Sequence, residues 1–143
     1  ILPYKTDAGS GSLEQMALAE FCKENFNSHV KTIKNKLQKK SEAICNALDK
    51  YFGSSAEYKK PDGGIFVWVD MHKKVDTSRL YELALKDGVA INPGNEWSIN
   101  KSGRHKMRLC FGNPSIKEID EGIKRLAIIC RNEFGIPTKI ANL

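Results

Sequence analysis

Residues 61–71 read PDGGIFVWVDM, and their alternation decides the fold. Pro61 to Gly64 form a turn signal, and the residues that follow are β-branched or aromatic, the composition of a strand. Side chains along a strand point to opposite faces by turns. Ile65, Val67 and Val69 therefore share one side, and Phe66, Trp68 and Asp70 share the other. One aliphatic side predicts a sheet covered on a single face.

A second stretch, KMRLCFG at 106–112, places Arg108 in the middle of an apolar strand. A guanidinium stays charged at any physiological pH, and setting it in a strand costs free energy unless a carboxylate or phosphate meets it. From residue type alone two readings stand: an internal salt bridge, with Asp70 or Glu96 as partner, or a docking site for an external anion.

Helical patterns flank these strands. A short helix is expected over about 12–24, with Ser12 as N-cap and Leu13, Ala17 and Phe21 on one face. A long one follows at about 28–52. Its Val30, Ile33, Leu37, Ile44, Leu48 and Tyr51 form one apolar stripe that reads as core, with lysines opposite, until Gly53, Ser54 and Ser55 end it. Asp76 is placed to cap a helix over 77–86, and Gly88 suits the left-handed conformation beyond its end. A brief strand at 89–91, a turn at Pro93-Gly94 and a polar loop from Ser98 to His105 lead into the Arg108 strand. Ser115 and Glu118 make a capping-box signature for a last helix at about 115–134, whose Ile116, Ile119, Ile123, Leu126 and Cys130 share a face. The class is α+β: a small antiparallel or mixed sheet covered on one side by helices.

Bulk properties narrow the function. The 143 residues suit one domain able to bury a core. No apolar run approaches the ~18 residues of a membrane span, and no signal-peptide pattern opens the chain, so a cytoplasmic location is expected. The formal charge of +6 raises a nucleic-acid partner. However, Lys31, Lys34, Lys36, Lys39 and Lys40 lie on one predicted helix without interleaved aromatics, which reads as a solvated face. Cys22, Cys45, Cys110 and Cys130 form no CxxC pair, and His29, His72 and His105 are not at metal-ligand spacing. The thiols read as buried, reduced small hydrophobes, and no metal site is expected.

Four words stand in fixed order: Pro61, Gly63, Gly64, Phe66 and Trp68; Gly88, Val89, Pro93, Gly94 and Trp97; Arg108, Leu109 and Phe111; and Glu121, Gly122, Ile123, Arg125 and Leu126. Together they resemble the C-terminal small domain of class I/II (fold type I) pyridoxal-phosphate-dependent aminotransferases, over about residues 12–134. The resemblance implies that Arg108 clamps the α-carboxylate of an amino-acid substrate and that Phe66 lies near the substrate. Trp97, where the family more often has Phe, would lie there too. It also implies amino acids and 2-oxo acids as substrates and a homodimer for the full-length protein.

The same resemblance makes residues 1–11 a linker from an upstream large domain and 12–143 the small domain of a longer protein. The dozen opening residues, rich in Gly, Pro and Ser and without an initiator methionine, are consistent with that. Transamination needs a lysine that holds the cofactor aldehyde, and in the family it comes from the large domain. Lys5, in the context YKTDAGS, does not match that motif. No catalytic or cofactor-binding residue is therefore expected in this chain. Pyridoxal phosphate is expected of the parent enzyme and not on this piece, which alone should be inactive. The alternative is an aminotransferase-like effector domain of a winged-helix transcription regulator.

Overall fold

The computed structural model describes residues 11–99 and 102–139. They fall into two compact units, one ending at Asn35 and the other beginning at Lys36. The first unit is helical. Its residues belong to α1 (Ser12–Tyr51), which begins with Gln15 N–H donating to Gly11 O at 3.1 Å, so Ser12 is the first helical residue and not its cap.

The expected break between a helix at 12–24 and another at 28–52 does not occur. Near the expected break three polar side chains bond backwards inside the helix: Asn25 Nδ2 to Phe21 O at 3.1 Å, Ser28 Oγ to Asn25 O at 3.0 Å, Thr32 Oγ1 to Ser28 O at 3.0 Å. Such local bonds satisfy the side chains without ending the ladder. Val30 and Ile33, read as core, are exposed, as are Leu13 and Phe21.

The second unit carries the core. After α1 come β1 (Ala56–Tyr58), β2 (Phe66–Met71), α2 (Thr77–Lys86), β3 (Asn92–Pro93), β4 (Lys106–Cys110) and α3 (Ile116–Phe134). The four strands form one antiparallel sheet in the order β1-β2-β4-β3. Val67, Val69, Met107 and Leu109 turn inward, and Ile44 and Leu48 of α1, Leu80 of α2 and Ile123 and Leu126 of α3 belong to the same buried cluster. Each such side chain contributes about 1.5–3 kcal/mol by leaving water. The class α+β and the single covered face are as the alternation requires. β3 lies at Asn92–Pro93 and not at 89–91, and Ile116 is exposed.

Caps confirm the local reading. Asp76 accepts from Ser78 N and Arg79 N at the start of α2. Ser115 and Glu118 form both halves of a capping box on α3, and Gly135 closes that helix at φ 61°. Ser115→Ala is expected to lower stability by about 1 kcal/mol, read from the urea unfolding midpoint.

Polar ties join the helices. Lys40, grouped with the solvated lysines, donates to Gly112 O at 2.8 Å and so fastens α1 to the turn before α3. Tyr51 donates to Asp120 at 2.8 Å, and Lys50 to the same carboxylate at 3.2 Å. The Tyr51 hydroxyl first, then Lys50, hold Asp120 below the usual carboxylate range. A folded-state pKa below the unfolded one contributes stability that is full above the unfolded carboxyl range and is lost as pH falls through the folded value. Tyr51→Phe should therefore weaken the protein at neutral pH and shrink the further loss on acidification to about pH 3. Urea midpoints of both proteins at the two pH values check this.

Candidate functional site

β4 sorts its side chains by turns: Met107 and Leu109 are buried, while Lys106, Arg108 and Cys110 lie on the uncovered face. β2 does the same, presenting Phe66, Trp68 and Asp70 there. The register sets Trp68 opposite Arg108 and Asp70 opposite Lys106, and on the other flank Asn92 opposite Arg108. One arginine thus sits in the middle of the open face, with aromatic neighbours.

The register also decides where the nearby carboxylates go. Asp70 is held by His105 Nε2 and Lys106 Nζ, each at 3.3 Å. Glu96 is exposed. Among the described residues no carboxylate pairs with Arg108, so the internal salt bridge drawn from residue type is not formed. Arg108 is half-buried, and its Nε is enclosed without a hydrogen-bond partner. Its Cζ lies 4.1 Å from the centre of the Phe66 ring and 3.9 Å from that of Trp97. The negative faces of the two rings attract the cation and offset part of its lost hydration, by about 0.5–2 kcal/mol each.

Trp97 reaches this position through a chain of close contacts. It ends a 3-10 turn, Gly94–Trp97, directly after β3. Gly94 lies against Gly103 so closely that a Cβ on Gly103 would fall 2.3 Å from Gly94 O, and one on Gly94 would fall 2.5 Å from Gly103 O. The loop holding Gly103 is fixed in turn by α2: Thr77 N and Oγ1 both donate to Arg104 O at 2.9 Å. Asp76, besides capping α2, accepts from Arg104 Nε at 3.1 Å. Gly64 supplies a positive φ of 80° at the entry to β2, which a side chain would strain.

The structure brings Arg108, Phe66 and Trp97 together, the three residues singled out in the sequence. Sequence reasoning left out Trp68, exposed on the same face and opposite Arg108; the alternation of β2 was the signal for it. The cysteines are not all buried: Cys45 and Cys130 are, Cys22 is intermediate, and Cys110 is exposed on the Arg108 face. Burial pushes the Cys130 thiol up to about 12. Among the described residues no group of His, Cys, Asp or Glu could hold a metal, and no helix is long and apolar enough to cross a membrane.

Known proteins are similar to this chain over most of its length. The family model described as aminotransferase class I and II matches residues 4–126. A 2-aminoadipate transaminase of Thermus thermophilus is 31% identical over 120 residues, 84% of this chain and 30% of that protein. An HTH-type transcriptional regulator of Bacillus subtilis, YisV, is 32% identical over 131 residues, 91% of this chain and 27% of that protein. The crystal structure of an α-aminoadipate aminotransferase from Thermus thermophilus, complexed with N-(5'-phosphopyridoxyl)-L-leucine, superposes with a TM-score of 0.81 at 29% identity, over 88% of this chain and 32% of that one. The chain thus spans about three-tenths of the length of these relatives. The matched stretch runs from before α1 through the arginine strand into α3, and on that footing this chain belongs to the class I and II aminotransferase family.

Proposed function

We propose that this chain is the C-terminal small domain of a longer protein that transfers an amino group between an amino acid and a 2-oxo acid, and that Arg108 grips the substrate carboxylate. The observation that carries this reading is the state of Arg108: a cation on the open face, faced by two rings, with an enclosed Nε and no carboxylate partner among the described residues. A half-dried guanidinium without an anion is costly, and an arriving carboxylate removes that cost through two parallel charge-assisted hydrogen bonds. Residues 1–11 would then be a linker from an upstream large domain, and the full-length protein a cytoplasmic homodimer, as the family resemblance implies.

The described residues fit a carboxylate and do not fit the cofactor. On the open face the lysine, Lys106, is tied to Asp70, and Arg108 offers a planar fork suited to a planar anion. Pyridoxal phosphate, when bound, supplies the electron sink and the amino-group carrier for such chemistry. In our reading the rest of the longer protein holds it, and this chain alone is inactive. The task of this chain is to orient: with its carboxylate fixed by Arg108, an amino acid has one end anchored, and its Cα presents a defined bond to whatever acts on it. Phe66 and Trp97, both part-exposed beside the arginine, keep water from its faces and strengthen the pair.

A second reading keeps the same ligand and changes the output: an effector domain that senses an amino acid for a winged-helix regulator. The chain is similar to HTH-type regulators of Bacillus subtilis as well as to aminotransferases, so this reading stands beside the first. The full-length protein separates the two. Incubation with a panel of amino acids and 2-oxoglutarate should yield glutamate for at least one of them. No transfer with any amino acid, together with sequence-specific DNA binding, would establish the regulator instead.

A further inference from the structure

The strand order β2-β4-β3 sets the two rings on opposite flanks of the arginine. Phe66 comes from β2 on one side of β4, and Trp97 from the turn after β3 on the other. Both lie about one ring-stacking distance from Cζ, at 4.1 and 3.9 Å, yet they make no ring contact with each other. The guanidinium therefore sits in a slot with aromatic walls. Its Nε is enclosed and bonded to nothing, whereas its terminal nitrogens are not among the enclosed unpaired atoms.

We infer that Phe66 and Trp97 are specificity-determining residues whose slot admits a planar carboxylate and rejects a tetrahedral oxyanion of the same charge. The inference rests on the carboxylate reading of Arg108. A carboxylate that makes two hydrogen bonds to the terminal nitrogens lies in the plane of the guanidinium and fits between the rings. A phosphinate using two oxygens in the same way must point its remaining substituents out of that plane, toward Phe66 or Trp97. Discrimination then comes from a built-in clash, and charge alone cannot supply it because both anions carry one negative charge.

The test uses the full-length protein and two probes. These are the L-amino acid with the tightest binding among the common twenty, and its 1-aminoalkylphosphinic analogue, which is tetrahedral and singly charged. Dissociation constants come from calorimetry, so the result stands whether the protein is an enzyme or a sensor. Wild type should favour the carboxylate by at least ~100-fold. Trp97→Leu and Phe66→Leu should each bring the ratio down to ~10-fold or less, through weaker carboxylate and stronger phosphinate binding, while Trp97→Phe restores it. Both side chains are more than a third exposed, so these variants should fold. An unchanged ratio in both leucine variants overturns the slot. Arg108→Ala distinguishes the deeper failure: if it leaves carboxylate binding intact, the clamp itself is wrong and the slot falls with it. If it abolishes binding while the leucine variants keep the wild-type ratio, the clamp stands and the slot alone fails.

Discussion

Replacing Arg108 by alanine in the full-length protein is expected to lower kcat/KM for amino acids by roughly two to three orders of magnitude. A charge-assisted bidentate pair in a partly dry site is worth ~3–4 kcal/mol, and that free energy, lost from the transition state, gives the loss in rate. Arg108→Lys keeps the charge and loses the fork, so it should recover only part of the deficit. Cofactor absorbance should persist in both variants, because in this account nothing in the slot holds pyridoxal phosphate. Steady-state kinetics with absorbance spectra of the same samples checks both statements. A variant that loses its cofactor along with its activity would place Arg108 in a different role.

The second large effect is expected at a glycine that packs against the turn carrying Trp97. In Gly103→Ala the new methyl would stand 2.3 Å from Gly94 O and 2.4 Å from Gly94 C. Backbone cannot swing aside as a flexible side chain can, so the 3-10 turn carrying Trp97 has to move. A cost of about 3 kcal/mol, the upper end for overpacking, is expected, together with weaker amino-acid binding. Gly122→Ala provides the contrast. It sits inside α3 with nothing within 4 Å of the added Cβ, so it should stabilise by up to about 1 kcal/mol through helix propensity. Urea midpoints of the two variants should move in opposite directions; a shared direction would show that the close glycine contact does not shape the fold.

The contrast between these glycines shows what a sequence discloses. Features set by neighbours in the chain were legible. The α2 helix matches its expected bounds because Asp76 caps it and Gly88, at φ 75°, follows its end. α3 matches within a residue because its capping box is local. Where no local signal decides, the expectation fails: the break expected between about 24 and 28 is absent from α1, and Asn25, Ser28 and Thr32 bond backwards within the continuous helix. The stripe of α1 could not reveal where burial begins, so Val30 and Ile33 were read with Ile44 and Leu48 as one core face.

The site divides along the same line. The anomaly of an arginine in an apolar strand was visible in the sequence, and so were Phe66 and Trp97 as neighbours of interest. The competition between a salt bridge and an external anion was not decidable there, because it depends on pairing between strands nearly forty residues apart. The register of β2 on β4 sends Asp70 to Lys106 and sets Trp68 across from Arg108. Likewise, the contact between Gly94 and Gly103 and the grip of Thr77 on Arg104 O are products of tertiary approach. No spacing rule announces them, yet they carry Trp97 to the arginine.

The central claim, that Arg108 meets the carboxylate of the substrate, is tested most directly by removing that carboxylate from the substrate and comparing the loss in two proteins. Wild-type and Arg108→Ala full-length protein are assayed with the preferred amino acid and with the amine that lacks only its carboxylate. The account predicts that wild type strongly prefers the amino acid and that Arg108→Ala loses this preference, with roughly a hundredfold or greater fall for the amino acid and little change for the amine. Equal losses for both substrates would contradict it, since Arg108 would then be supporting the fold of the site and not the substrate.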